Sequence, residues 1–135
     1  MIKTICYISD SLDYNSLDKL TTLYLKAKSN NIKNNITGVL IYKNQNFLQV
    51  LEGEETLVDK TFERIKHDTR HRNLFKVINT SIQERIFEDY NFGFTIIDNK
   101  KGLNNLNNYL AWLKEADNKL ANKVITMVEN FINSK

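Results

Sequence analysis

Apolar residues in this chain recur at two periods, and the order in which those periods alternate constrains the fold most tightly. Ile2 to Ser9 alternates like a strand, with Ile5, Tyr7 and Ser9 on one side and Thr4, Cys6 and Ile8 on the other. Ser16 is a candidate N-cap for a helix through about Ser29, where Leu17, Leu20, Leu23, Tyr24 and Ala27 form one apolar stripe. The asparagine-rich stretch from Asn30 to Asn35 ends that helix. Ile36 to Tyr42 and Phe47 to Leu51 are strand-like runs, and the Lys43–Asn46 turn between them predicts an antiparallel hairpin. Gly53 permits a break. Thr56, with Asp59 three residues on, then reads as the cap of a second helix marked by Leu57, Val58, Phe62 and Ile65 and ending near His67. Further strands fall within Asn73–Gln83 and Phe92–Ile97. Two helical stripes follow, one on Leu103, Leu106, Leu110 and Leu113 and one on Leu120, Val124, Met127, Val128 and Phe131. The order β-α-β-β-α-β-β predicts an α+β fold, a ferredoxin-like sheet with two helices on one face and C-terminal helices covering the other.

Composition narrows the function classes. A length of 135 residues fits one domain, and 41% hydrophobic with 26% charged residues is an ordinary globular balance. No apolar run approaches the roughly 20 residues that span a bilayer. The amino terminus enters a strand-like run at once, without a signal-peptide cleavage site, and Cys6 is the lone cysteine. These features predict a reduced, cytoplasmic setting. The net charge of +3 comes with no block of like charges, so neither nucleic acid nor membrane is an expected partner. His67 and His71 stand four apart, but Lys66, Arg70 and Arg72 flank them and no further ligand set has metal-site spacing, so no metal is expected. Phosphate-loop, dinucleotide, zincin and serine-hydrolase motifs are all missing.

Three features do not fit a purely structural chain. Gln49 interrupts Phe47-Leu48-Gln49-Val50-Leu51, and its face-mates are Phe47 and Leu51. A buried amide without partners costs roughly 1–3 kcal/mol, so it calls for a polar partner, either backbone or ligand. Tyr7 shares its strand face with Ile5 and Ser9, and a buried tyrosine hydroxyl also seeks a partner. If both strands turn these faces to the helices, Tyr7 and Gln49 can meet, and an amide that donates and accepts can relay the hydroxyl to a third group. Asn30-Asn31 at the end of the first helix can bind a ring with alternating carbonyl and N–H groups, as a flavin has; plain helix termination is the alternative.

Taken in order, several pieces resemble the BLUF family, blue-light sensors that use flavin. They are Tyr7-Ile8-Ser9, Asn30-Asn31, Asn35-Ile36-Thr37-Gly38-Val39-Leu40 and Phe47-Leu48-Gln49-Val50-Leu51-Glu52-Gly53. Arg64-Ile65, Asp68-Thr69-Arg70-His71 and Arg85-Ile86-Phe87 follow, so the resemblance covers about residues 2–97. It implies a flavin-binding domain over 1–97, with 98–135 as a helical cap and output extension. The implied cofactor is noncovalent FAD, with FMN as the alternative flavin. Tyr7 would be the electron donor to the excited flavin, and Gln49 the amide between Tyr7 and the ring's N5/O4 edge. Asn31 would bond the polar ring edge with Asn30 beside it, and Arg64 would lie near the pyrimidine end. Leu23 and Ile65 would flank the ring faces, and Asp68 and His71 the ribityl side or ring edge.

On this resemblance the chain is a sensor and not an enzyme. Excitation would draw an electron and a proton from Tyr7, and the Gln49 amide would rotate or tautomerise. After recombination the flavin would be unchanged but absorb slightly to the red. A downstream signalling protein, or self-association into a homo-oligomer, would read the state. The family usually has Trp-x-Met where this chain has Tyr90-Asn91-Phe92, which leaves a backbone carbonyl there as the acceptor for Gln49 and puts the output route in question. Two rival classes remain. An acylphosphatase-like hydrolase would need a phosphate-cradling loop with Arg, which the connection from Asp10 to Asn15 lacks. An RNA-binding sheet would show exposed aromatics with basic residues on its central strands.

Overall fold

The chain folds as β1 (Ile2–Ser11), α1 (Leu17–Lys33), β2 (Thr37–Lys43), β3 (Asn46–Glu54), α2 (Glu55–Lys66), β4 (His71–Ile82), β5 (Phe92–Ile96), α3 (Lys100–Glu115) and α4 (Lys119–Asn133). The computed structural model describes residues 1–11, 17–43, 45–67, 71–88, 92–96, 100–115 and 118–133; residues 11, 17, 18, 20, 71, 72, 92–96 and 100–102 are described by backbone alone. The strands form one sheet in the order β4-β1-β3-β2-β5. Neighbouring strands are antiparallel except for β2 and β5, which run parallel. The first four strands with α1 and α2 make the expected ferredoxin-like unit, and β5 is added beyond β2.

The period of two along each strand sorts the core into two layers. On the front face Ile5, Tyr7, Leu40, Phe47 and Leu51 pack against Leu23 of α1 and Val58 and Phe62 of α2. On the back face Cys6, Val39, Ile41, Leu48 and Val50 pack against Leu106 and Leu110 of α3 and Val124, Ile125 and Val128 of α4. The two C-terminal stripes therefore bury themselves on the sheet face that α1 and α2 leave open. Polar clamps fix each layer. Lys3 donates to Asp59 at 2.6 Å and ties α2 to β1. Lys43 reaches the last carbonyls of α4, Phe131 and Ile132, at 3.3 and 2.8 Å, where a cation also complements the helix dipole. Burial alone pushes the Cys6 thiol up to about 12, so it stays protonated in the core at neutral pH.

Three boundaries differ from the sequence expectation. Helix α1 does not stop near Ser29 but continues to Lys33. It closes with Asn35 at φ 52° and with the Ile36 N–H bonded to the Asn31 carbonyl at 2.8 Å and the Asn35 N–H to that of Ile32 at 3.1 Å. This is a Schellman closure with asparagine taking the left-handed position. Asn30 and Asn31 thus lie inside the last turns and not after them. Gly53 does not break the chain, because β3 runs through it to Glu54. The cap of α2 is accordingly Glu54 and not Thr56. Its carboxylate accepts from the Thr56 and Leu57 N–H groups at 3.3 and 3.2 Å, while Asp59 is taken by Lys3. The proposed Ser16 cap lies outside the described residues.

Candidate functional site

Tyr7 and Gln49 are direct cross-strand partners in the β1–β3 register, at the centre of the front face. Their side chains point to the same side, and the Tyr7 hydroxyl donates to Gln49 Oε1. Both are buried, Tyr7 fully and Gln49 at 3% exposure. The Tyr7 ring also meets Phe62 of α2 edge-on at 5.8 Å. Lys76, opposite Tyr7 on β4, holds its ammonium 4.9 Å from the Phe62 ring centroid. The tyrosine thus has an aromatic wall that itself faces a cation.

The remaining site residues sit around this pair. Leu23 is buried on α1, and Ile65 of α2 packs partly buried against the same front-face cluster. Asn31 is only 2% exposed and falls eight residues after Leu23, on the same side of α1. It is a polar end to an apolar stripe. Asn30 is half-buried, and its carbonyl accepts from the Asn34 side chain at 3.1 Å. Arg64 is exposed on α2. Asp68 lies outside the described residues, and His71 is placed by its backbone alone, at the start of β4 opposite Ser11. Tyr90 and Asn91 also lie outside them. The sheet order sets β2 between β3 and β5, with Leu40 facing Gln49 on one side and Phe94 on the other.

Two buried amides decide whether a flavin suits this pocket. Gln49 Oε1 is taken by Tyr7, while its Nε2 donates to no other described residue and the Asn31 side chain bonds to none. Neither amide is sealed off, since among the described residues Thr4 Oγ1 is the buried side-chain polar atom without a partner, so both can reach a ligand. A ring edge with alternating carbonyl and N–H groups offers both donors and acceptors to them, so the residues fit the group.

One functional residue escaped the sequence reading. Glu52 is fully buried on the back face, three residues after Gln49. Its carboxylate accepts from the Ile86 N–H at 2.7 Å, the Phe87 N–H at 2.6 Å and the Thr37 hydroxyl at 2.8 Å. Arg85 Nη1 donates to the Thr37 hydroxyl oxygen at 3.0 Å and to the Glu52 carbonyl at 3.2 Å. Burial raises the carboxyl above its usual range, opposed by the Ile86, Thr37 and Phe87 bonds and by the Arg85 charge. The argument that singled out Gln49 applies equally here, because a carboxylate in phase with Leu48 and Val50 faces a core.

Comparisons with known proteins agree with this geometry. A family model described as BLUF, sensors of blue-light using FAD, matches residues 2–93. The photoactivated adenylate cyclase subunit beta of Euglena gracilis is 33% identical over 86 residues, which are 64% of this chain and 10% of that protein. This chain therefore spans about a tenth of that relative. The photo-activated state of BlsA superposes with a TM-score of 0.66 at 34% identity, covering 71% of this chain and 70% of the other. Klebsiella pneumoniae BlrP1, solved with FMN and cyclic diGMP, covers 99% of this chain and 35% of its own with a TM-score of 0.79; at 24% identity it supports the fold alone. With the family model over most of its length and a buried tyrosine–glutamine pair at the centre of the front face, the chain belongs to the BLUF family of blue-light sensors.

Proposed function

We propose that the domain binds flavin, FAD with FMN as the alternative, on the front face between α1 and α2, and senses blue light through the Tyr7–Gln49 hydrogen bond. That buried bond is the observation that carries the reading. A bound flavin supplies the light absorption and the electron acceptor. Tyr7 gives up an electron and its hydroxyl proton, and both return on recombination. While the hydroxyl lacks its proton, Gln49 Oε1 lacks its donor. A turn of the amide, or its tautomer, then presents a donor to the tyrosine oxygen and changes what the other end of the amide offers. Asn31, with Asn30 beside it, holds the polar ring edge, and Leu23 and Ile65 flank the ring. Arg64 lies near the pyrimidine end, and Asp68 and His71 serve the ribityl side or ring edge. The expected result is noncovalent binding of added flavin with quenching of its fluorescence; protein that binds neither FAD nor FMN sinks the reading.

Output runs to the C-terminal helices and on to a partner that reads them, as a downstream signalling protein would. The support is a chain of contacts from the strand of Gln49. Glu52 fastens Ile86 and Phe87, the Ile86 carbonyl accepts from the Tyr109 hydroxyl of α3 at 2.8 Å, and Phe87 stacks on the Tyr109 ring at 5.8 Å. Glu52→Gln turns an NH2 toward buried donors. We expect a loss of about 1–3 kcal/mol in stability by urea unfolding. The flavin response should survive, while any light-dependent change in hydrogen exchange along α3 shrinks. An unchanged exchange difference in the variant places the output elsewhere.

A further inference from the structure

The back of the sheet is covered unevenly. Cys6, Val39, Ile41, Leu48 and Val50 of the three central strands are fully buried there. On β4, by contrast, Val77 and Ile78 are half-buried, and Phe75, opposite Ile8, is 67% exposed. Strands lie about 4.8 Å apart and packed helices about 10 Å, so one helix roofs about two strands. Two helices thus cover about four strands of the sheet, and α3 packs by β5 at one edge. The strand left over is β4, at the opposite edge. Beside it lies a groove of about 640 Å³, floored by Val77, Ile78 and Met127 and walled by the flank of α4 from Lys119 to Asn130. A register shift between Cys6 and Tyr7 lets the consecutive residues Val77 and Ile78 both line it.

We propose that this groove holds an amphipathic helix of a different protein, one that sets apolar side chains on β4 and carboxylates against α4. Such a helix completes the layer over β4 and lies alongside α4, where its i, i+3, i+4, i+7 stripe meets Val77, Ile78 and Met127. The charge of the partner follows from the lining. Lys119 and Lys123 are its only charged residues, both are exposed, and neither forms an ion pair with a described residue. They stand one turn apart on α4, so carboxylates four residues apart on the incoming helix meet both. Lys119 also borders the neighbouring groove by Trp112, which leaves Lys123 as the cation specific to this one. A second copy docked groove to groove sets lysine against lysine, which points to a different chain. The docking rests on this surface alone; that its occupant receives the light signal rests on output through the C-terminal helices.

The test is a titration of the isotope-labelled full chain in the dark, followed by NMR. The probe is a synthetic amphipathic peptide of about five helical turns, with leucines at i, i+3, i+4 and i+7 and glutamates between them. We expect saturation below about 1 mM, shift changes confined to residues 75–80 and 119–130, and a gain in peptide helicity. The same peptide with lysine in place of glutamate does not bind. Lys123→Glu, an exposed change that keeps the fold, weakens binding about fivefold at low salt and less as salt screens the charge. No saturation up to about 1 mM overturns the proposal, as do shift changes elsewhere or equal binding of the lysine peptide. Preference for an extended peptide of alternating valine and glutamate overturns it too, as does a second copy of the chain occupying the groove. Repeating the titration under blue light separates the two claims. An affinity that changes with light supports both, and one that does not removes the output reading while the docking stands.

Discussion

Gln49→Leu should leave flavin bound and abolish its response to blue light. Leucine is close to glutamine in volume and suits the front-face row of Phe47 and Leu51, so the pocket keeps its shape. What disappears is the acceptor for the Tyr7 hydroxyl and the second, donating end of the amide. Without them no group can turn between two bonding states beside the ring. The expected readout is a dark spectrum of bound flavin and no light-induced red shift, a complete loss and not a slower recovery. Stability falls by about 1–3 kcal/mol, because the buried Tyr7 hydroxyl loses this partner. A normal photocycle in Gln49→Leu would remove the amide from the mechanism and leave flavin binding standing.

Gly38→Ala should destabilise the domain by more than about 3 kcal/mol, at the severe end for single substitutions. Gly38 has φ +154°, and a Cβ there would lie 1.8 Å from the carbonyl oxygen of Val50. That neighbour is backbone of the adjacent strand, so relief requires β2 and β3 to move apart. Gly38 pairs with Leu51 on one side and Phe92 on the other, and the movement would loosen both seams of β2. Because Gln49 is held in the same ladder, flavin binding should fall together with stability. Chemical unfolding followed by circular dichroism gives the shift, and an alanine variant as stable as the wild type would refute this reading of the seam.

Parity carried the Tyr7–Gln49 pair from sequence to structure. A period of two put Tyr7 with Ile5 and Gln49 with Phe47 and Leu51, and the register makes Tyr7 and Gln49 opposite neighbours. Turn chemistry misled at α1, because asparagine both ends helices and closes them from one turn further on. Asn35 does the closing, and Asn31 stays inside as a buried ligand candidate. At α2 the cap is a glutamate, a residue outside the usual capping set, because β3 feeds straight into the helix. The parallel pairing of β5 with β2 was not legible, since the chain crosses the sheet between β4 and β5 and nothing local encodes that jump. Glu52 was visible as part of a motif but not as an anchor, because its partners Ile86 and Phe87 lie more than thirty residues away.

The Tyr7–Gln49 switch is tested most directly by the absorption spectrum of flavin-loaded protein before and after blue light. A small red shift of the flavin band that relaxes in the dark, and that is missing in Tyr7→Phe with flavin still bound, is the expected result. A wild-type protein that holds flavin and shows no shift, or a Tyr7→Phe variant that shifts normally, contradicts it.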